Sequence, residues 1–398
     1  METKGPLEGL KVLDLSSLIL GPYTSKMMAE WGADVIKIEA PAGDITRNIG
    51  AKRTPGMSAI FMNLNLSKRS IVLDLKKPES KDILIRLVKE SDILIHNYRP
   101  GPAKRLGISY QQLAEVNPKL IACVSVGYGR SGCYSERPAY DDLIQGISGM
   151  ADLNGFYNQS SPGYVPTALA DKVGSLMSLS TILAALYHRE KTGIGQEVEV
   201  AMFEALVSFL LVEHFTGPAF EPRLGPVGHL RQMLPSRRPF KTKDGFICAL
   251  PYTDKHWRAI FKIMRQPELV DDERFVNVAK RTEFTKELYQ VLEDAFKQHT
   301  SSFWGEELAN CDIPFAPVSS LDDLFVDPHL NEVGLFEEYQ HPTEGRLRRV
   351  NSPVTFSKTV PTFQFGASHL GEHSREILQE MGFDEYQIES FFEHDVVQ

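Results

Sequence analysis

The chain is 398 residues long, with 42% hydrophobic and 24% charged residues, and 43 Lys and Arg stand against 52 Asp and Glu for a net charge of −9. This is ordinary globular composition, long enough for two or three domains and for a core that needs no disulfide or metal staple. The acidic balance excludes general nucleic-acid binding, so a polyanionic ligand has to find a local patch of cations. Four cysteines (Cys123, Cys133, Cys248 and Cys311) form no C-x-x-C pair. No signal-like apolar stretch follows Met1, and the most apolar run, 206–212, is too short to span a bilayer. A soluble, cytoplasmic protein without membrane partners is expected.

Taken in chain order, β-branched runs predict strands over 11–15, 34–39, 70–75, 92–96 and 120–126. Between them, amphipathic spacing predicts a helix ending at Trp31 after a Gly21-Pro22 turn, a Pro78-headed helix to Glu90, and a helix over 110–116. The alternation predicts an α/β fold, a doubly wound and mostly parallel Rossmann-like sheet covered on both faces. A long helix over 171–189 follows, stopped by Gly193 and Gly195, and then a strand over 196–200. The Pro/Gly-rich stretch 216–239, with Arg223, Arg231, Arg237 and Arg238 interleaved, reads as a linker. A hairpin turning at Lys243-Asp244-Gly245 opens a second unit, continued by helices over 254–264, 284–299 and 302–310. From Pro317 the chain reads as loop and helix, then a strand near 346–350 and two short helices. The expected domains are a large one over 1–215, the linker, a smaller α+β one over 240–325, and a return segment over 326–398 packing on the large domain.

Two motifs fail on context. Gly127-Tyr128-Gly129-Arg130-Ser131-Gly132 matches G-x-G-x-x-G after a strand, but a dinucleotide site needs a helix to open at once. Loop-like residues follow, and helical spacing resumes only near Asp141, which leaves a glycine-rich turn. His369-Leu370-Gly371-Glu372-His373 matches H-x-x-E-H, yet Gly371 between the histidines marks the start of a helix rather than a zinc site. No metal is expected. The cations Lys68, Arg69, Lys76, Lys77, Arg99, Lys104, Arg105 and Arg137 form the local basic set. Several fall just after predicted strands, where open α/β sheets bind ligands, and a ligand with several phosphates suits them.

Longer stretches resemble a known family. Leu7-Glu8-Gly9-Leu10-Lys11-Val12-Leu13-Asp14-Leu15, Gly32-Ala33-Asp34-Val35-Ile36-Lys37-Ile38-Glu39, Asn97-Tyr98-Arg99-Pro100-Gly101, Arg137-Pro138-Ala139-Tyr140-Asp141 and Ile313-Pro314-Phe315-Ala316-Pro317-Val318 resemble the class III coenzyme A transferases. The resemblance implies CoA transfer from an acyl-CoA thioester to a small carboxylic acid, through an aspartyl mixed anhydride and an aspartyl-CoA thioester. It implies coenzyme A as a substrate and no permanently bound cofactor. It places the nucleophile at Asp171 and CoA contacts at Leu73, Lys76, Asn97, Tyr98 and Arg105; Arg137, from the basic set, is expected to join them as a CoA contact. It also implies a homodimer of two interlocked ring-like chains.

Some positions depart from the family pattern: Ile19 stands where some members have glutamine, and Ala40 where they have arginine. The related α-methylacyl-CoA racemases use a histidine where this chain has Tyr140. A racemase needs an acid-base pair that works near neutral pH, which a tyrosine of pKa about 10 suits poorly. A racemase-like isomerase and a non-catalytic CoA-binding protein are the alternatives. Tyr140 reads as an acyl-site hydrogen-bond donor or as a packing aromatic. Asp171 sits where a helix begins, so the helix N-terminus is expected to favour its ionised form. A plain N-cap is the structural alternative for that residue. Arg237 and Arg238 suggest an extra carboxylate on the acceptor.

Overall fold

The computed structural model describes residues 5–398 and divides into two compact units. One comprises the residues up to Met150 with Tyr164–Phe209 and Glu332–Gln398, and the other Ala151–Gly163 and Leu210–Asn331. The elements run β1 (Lys11–Asp14), α1 (Leu20–Glu30), β2 (Asp34–Glu39), α2 (Ala59–Leu64), β3 (Lys68–Val72), α3 (Ser80–Lys89), β4 (Ile93–His96), α4 (Pro100–Leu106), α5 (Tyr110–Ala114) and β5 (Ile121–Val126). Then come α6 (Asp141–Ile147), α7 (Met150–Tyr157), α8 (Leu169–Thr192), β6 (Gln196–Ala201) and α9 (Met202–His214). They are followed by α10 (Leu230–Met233), β7 (Phe240–Lys241), β8 (Phe246–Ala249), α11 (Asp254–Ile263), α12 (Val278–Glu283), α13 (Thr285–Phe296), α14 (Ser301–Asn310) and β9 (Phe315–Pro317). Last are α15 (Pro328–Glu332), β10 (Phe336–His341), β11 (Gly345–Val350), α16 (Ser374–Glu380) and α17 (Glu385–Glu393).

In the first unit six strands form one parallel sheet in the order β3-β2-β1-β4-β5-β6. The central strands β1, β4 and β5 carry apolar residues at consecutive positions because both faces are covered. Leu13, Ile36 and Leu94 point into a core shared with α3 and the C-terminal helices. Val12, Val35, Ile93 and Ile95 point the other way, onto Met28 of α1 and Leu179 and Ile182 of α8. By length and composition α8 would cross a membrane, but 44% of its most apolar window is buried inside the protein. In the second unit β7, β8 and β9 form an antiparallel sheet. Its core joins Phe240, Trp257, Phe261, Phe296 and Trp304, with the Phe240 and Phe296 rings stacked 4.6 Å apart.

Three expectations are corrected. Gly21 and Pro22 lie inside the first turn of α1, not in a turn before it. Backbone N–H groups there have no helical partner, so proline loses nothing. A Cβ on Gly21 would stand 2.1 Å from Ser16 Oγ, so only glycine allows the close approach. The third strand starts two residues earlier than the pattern suggested, at Lys68, whose pairing with Val35 extends the ladder. Finally, 336–341 is a strand paired antiparallel with β11, not loop or helix.

Lys68 and Arg69 also leave the basic set. Lys68 is buried, and its Nζ donates to Asp14 Oδ2 at 3.0 Å, the Pro22 carbonyl at 2.9 Å and Asn65 Oδ1 at 2.8 Å. Arg69 is held by Asp34 at 2.7 Å and Glu380 at 2.8 Å. Burial alone would raise the Asp14 carboxyl, but Lys68, Lys37 and the hydroxyls of Ser16 and Ser25 outweigh it and hold it well below the usual carboxylate range. Burial pushes the Lys68 ammonium down to about 8. Removing one partner of such a pair leaves an uncompensated buried charge, so Lys68→Met is expected to cost about 3–5 kcal/mol in urea denaturation. A loss under 1 kcal/mol would refute this reading of the pair.

Candidate active site

Strand order reverses between β1 and β4, and open α/β sheets bind ligands in the crevice at such a point. Asn97, directly after β4, bridges it: its Nδ2 donates to the Ser17 carbonyl at 2.9 Å, and its Oδ1 accepts the Ser17 N–H at 3.2 Å. The next residue, Leu18, has φ +67°, a left-handed conformation that costs a branched side chain energy. It is held there by its N–H to Asp44 Oδ1 at 3.3 Å, with Asp44 paired to Lys37 at 3.1 Å. Lys37 also donates to the Ser16 carbonyl at 2.9 Å. The buried charges beneath β1 and β2 therefore set the shape of the loop between β1 and α1.

That loop lines one side of a cavity of about 350 Å³ that also takes in Asn97, Tyr98, Arg137, Tyr140 and Asp171. Asp171 is the third residue of α8, and the N-cap, Ala168, supplies no side-chain acceptor. The capping comes from α6 instead, where Asp141 Oδ1 accepts the Asp171 N–H at 3.1 Å. On the far side the Ser175 hydroxyl lies 2.7 Å from the carbonyls of both Asp171 and Leu20, tying α8 to α1. At Gly174 a Cβ would come within 2.5 Å of Leu20 Cδ1, so a larger residue there would displace the Leu20 side chain.

Burial pushes the Asp171 carboxyl up to about 7, and the neighbouring Asp141 carboxylate adds to the rise. This runs against the expectation that the helix N-terminus favours the ionised form of Asp171. The dipole of α8 is present, but desolvation and a like charge outweigh it. Asp141, which the sequence reading did not single out, both accepts the Asp171 N–H and raises its carboxyl. The available signal was an acidic pair, Asp141-Asp142, directly after Tyr140 at a predicted helix start.

The structure thus brings together Asp171, Tyr140, Asn97, Tyr98 and Arg137, five of the residues singled out from sequence. His96 Nδ1 accepts the Tyr98 N–H at 3.2 Å, which fixes the start of that segment. The Arg137 guanidinium carbon lies 3.9 Å from the centre of the Tyr134 ring, and Tyr134 packs edge-on against the buried Tyr128, which packs on Phe203. Tyr140 is 60% exposed and opens onto the cavity instead of packing in a core. Leu73 is buried at the end of β3, bridged to Val397, while Lys76 and Arg105 are exposed; none of the three lines this cavity. Arg237 and Arg238 are exposed in the second unit, with Arg238 paired to Glu293 at 3.2 Å. The Gly127–Gly132 stretch is a turn between β5 and the loop to α6, as its context suggested. His369 hydrogen-bonds Thr343 Oγ1 at 2.6 Å and His373 accepts the Ser70 N–H at 3.3 Å, so both serve the packing of the C-terminal segment.

A carboxyl whose pKa is raised by folding stabilises the folded chain when protonated, and that stability is lost as pH rises from about 4 through about 7. Asp171→Asn removes the buried charge, so at pH 8 it is expected to raise Tm by about 2–4 °C, with the gain shrinking toward zero at pH 4.5. Differential scanning calorimetry at the two pH values checks this, and a lower Tm at pH 8 would contradict it.

Comparison with known proteins shows the family. The family model CoA-transferase family III matches residues 7–374. Succinyl-CoA:glutarate CoA-transferase of Homo sapiens is 30% identical, covering 94% of this chain and 86% of that protein. Formyl-CoA:oxalate CoA-transferase of Shigella sonnei is 30% identical, covering 96% and 97%. Among solved structures, a CAIB/BAIF family protein from Brucella suis superposes with a TM-score of 0.81 at 30% identity, covering 95% of this chain and all of that one. With the match running almost from end to end, the chain belongs to CoA-transferase family III and is an enzyme that transfers coenzyme A.

Proposed function

We propose that Asp171 is the nucleophile of this transfer and that coenzyme A passes through it covalently. The observation that carries the reading is the partly buried Asp171 carboxyl at the sheet's switch-point cavity, raised to about 7 beside Asn97, Tyr98, Arg137 and Tyr140. Direct exchange between carboxylates is slow because a carboxylate is a weak nucleophile, and covalent catalysis divides the barrier. The Asp171 carboxylate attacks the donor thioester carbonyl, and CoA leaves as the thiolate, giving a mixed anhydride. The thiolate then attacks the aspartyl carbonyl, the donor acid leaves as its carboxylate, and CoA is held as an aspartyl thioester. The acceptor carboxylate attacks that thioester and releases the thiolate again. The thiolate takes the acceptor's acyl carbon from the second anhydride, freeing Asp171.

Desolvation that raises the carboxyl also strips water from the attacking oxygen and makes it more basic, which favours attack once it is ionised. Arg137 supports CoA binding through phosphate, and the exposed Arg105 and Lys76 are available for the same role. Energy from these remote contacts offsets the cost of placing the thioester carbon against Asp171. Leu73 contributes through its backbone at the end of β3, since its side chain is in the core. Tyr140, exposed to the cavity, serves as a donor to the acyl oxygen. In this reading no bound cofactor or metal takes part. The family resemblance further supports a homodimer of interlocked chains.

Asp171→Asn keeps the backbone N–H that Asp141 caps and cannot form the anhydride, so turnover is expected to fall by at least about 10³-fold. Incubation of the wild type with an acyl-CoA, quenched and digested, is expected to show a CoA adduct on the Asp171 peptide by mass spectrometry. A variant as active as the wild type, with no adduct, would end the aspartyl mechanism. The turnover rate is expected to rise with pH through about 7 as Asp171 ionises. A rate that is flat from pH 6 to 8 would contradict that assignment.

For the acceptor we propose a short dicarboxylic acid. The names of the relatives above include glutarate and oxalate, and the exposed Arg237 supplies a guanidinium for a second carboxylate. Arg237→Ala is expected to raise the KM for such an acceptor about tenfold with kcat little changed. An unchanged KM would remove Arg237 from acceptor recognition.

A further inference from the structure

We propose that Gln145 is a positioning residue for coenzyme A transfer, clamping the Asp141 carboxylate onto the first turn of α8 and so fixing the point from which Asp171 attacks. The inference rests on Asp171 being the nucleophile. Gln145 is fully buried on α6, where a primary amide is tolerated only if its polar atoms are matched. Here they are. Its Nε2 donates to Asp141 Oδ2 at 2.6 Å and lies 3.2 Å from the Thr167 carbonyl, and its Oε1 accepts the Val165 N–H at 2.8 Å. The other Asp141 oxygen takes the Asp171 N–H at 3.1 Å. One amide therefore ties together the segment that leads into α8, the carboxylate that caps α8, and the turn that carries the nucleophile.

The residue type follows from the geometry. The position needs a donor to a carboxylate and to a carbonyl together with an acceptor for a backbone N–H, and only an amide offers all three at once. A glutamate would set a second carboxylate against Asp141. An apolar residue would leave Asp141 free to turn toward solvent and the Val165 N–H unmatched. The bond from Gln145 also fixes where Asp141 holds its charge, which links it to the acidity of Asp171. The other charged or titratable groups lining the cavity are Tyr98, Arg99, Arg137 and Tyr140, and α1 and α9 present only Leu20 and Met202 to it. On α8 itself Lys172 is turned away, its Nζ 2.5 Å from Thr167 Oγ1.

The test uses the full-length protein. The Asp171 carboxyl is titrated by 13C NMR after aspartate labelling, its signal assigned by its loss in Asp171→Asn, and kcat and KM are measured with the acyl-CoA donor that the wild type uses best. In Gln145→Met the Asp171 titration is expected to move down by about one pH unit, because the Asp141 charge is no longer pinned beside it. Turnover is expected to fall tenfold or more, since a small misplacement of the reacting group is costly, with the KM for donor unchanged within twofold. If Gln145 acts through Asp141, Asp141→Asn combined with Gln145→Met moves the titration no further than Asp141→Asn alone. Gln145→Asn, one methylene too short to reach Asp141, gives the same comparison if the methionine variant does not fold. A titration and kcat within twofold of the wild type in the Gln145 variants, or shifts that add in the double variant, would overturn the clamp. Full turnover by Asp171→Asn would instead end the nucleophile reading, whatever Gln145 does.

Discussion

The buried ion pair between Asp14 and Lys68 is the constraint on which the site depends. Asp14 ends β1 and Lys68 begins β3, two strands apart in the sheet, so the pair spans β2. An isolated charge in such a place would be prohibitive, and the pair persists because the hydroxyls of Ser16 and Ser25 and the carbonyl of Pro22 complete its hydrogen bonding. Each of these partners lies in or beside the loop that joins β1 to α1. Lys37 and Asp44 hold the same loop from its other side and keep Leu18 in a conformation it would not adopt alone. The electrostatics here serve less to stabilise the fold than to specify one shape for the cavity wall.

Asp171 shows the opposite use of burial. Where Asp14 is surrounded by cations and donors, Asp171 meets low dielectric and a second carboxylate, so the same residue type has its acidity moved in opposite directions within one domain. A carboxylate held by a cation is a poor nucleophile because its charge is already neutralised. The chain separates the two environments in space, with the paired ions under the sheet ends and the Asp171 carboxyl at the cavity.

Much of this was legible in the sequence. The parallel strands announced themselves through short β-branched runs alternating with helical stretches, and the hairpin of β7 and β8 through Lys243-Asp244-Gly245. The strand over Phe336–His341 was missed because its alternation is carried by Glu and Gln facing Arg residues across the pair, so little hydrophobic signal remained. Lys68 and Arg69 were misread for a related reason: sequence records a cation but not the carboxylate that folding brings to it from 54 residues away in the case of Lys68. Asp171 was found through resemblance, since an aspartate near a helix start is by itself an ordinary cap. Its partner Asp141 stands 30 positions earlier and belongs to a different helix, and no local pattern joins them.

The stack of Arg137 on Tyr134, itself wedged by Tyr128, carries a further consequence. An arginine on a surface normally samples many rotamers, and an arriving anion has to freeze one of them. A guanidinium already seated over an aromatic ring has given up part of that freedom during folding. An anion that met it would therefore have less side-chain order left to impose. Capture at this spot should depend on ionic strength far more than on temperature.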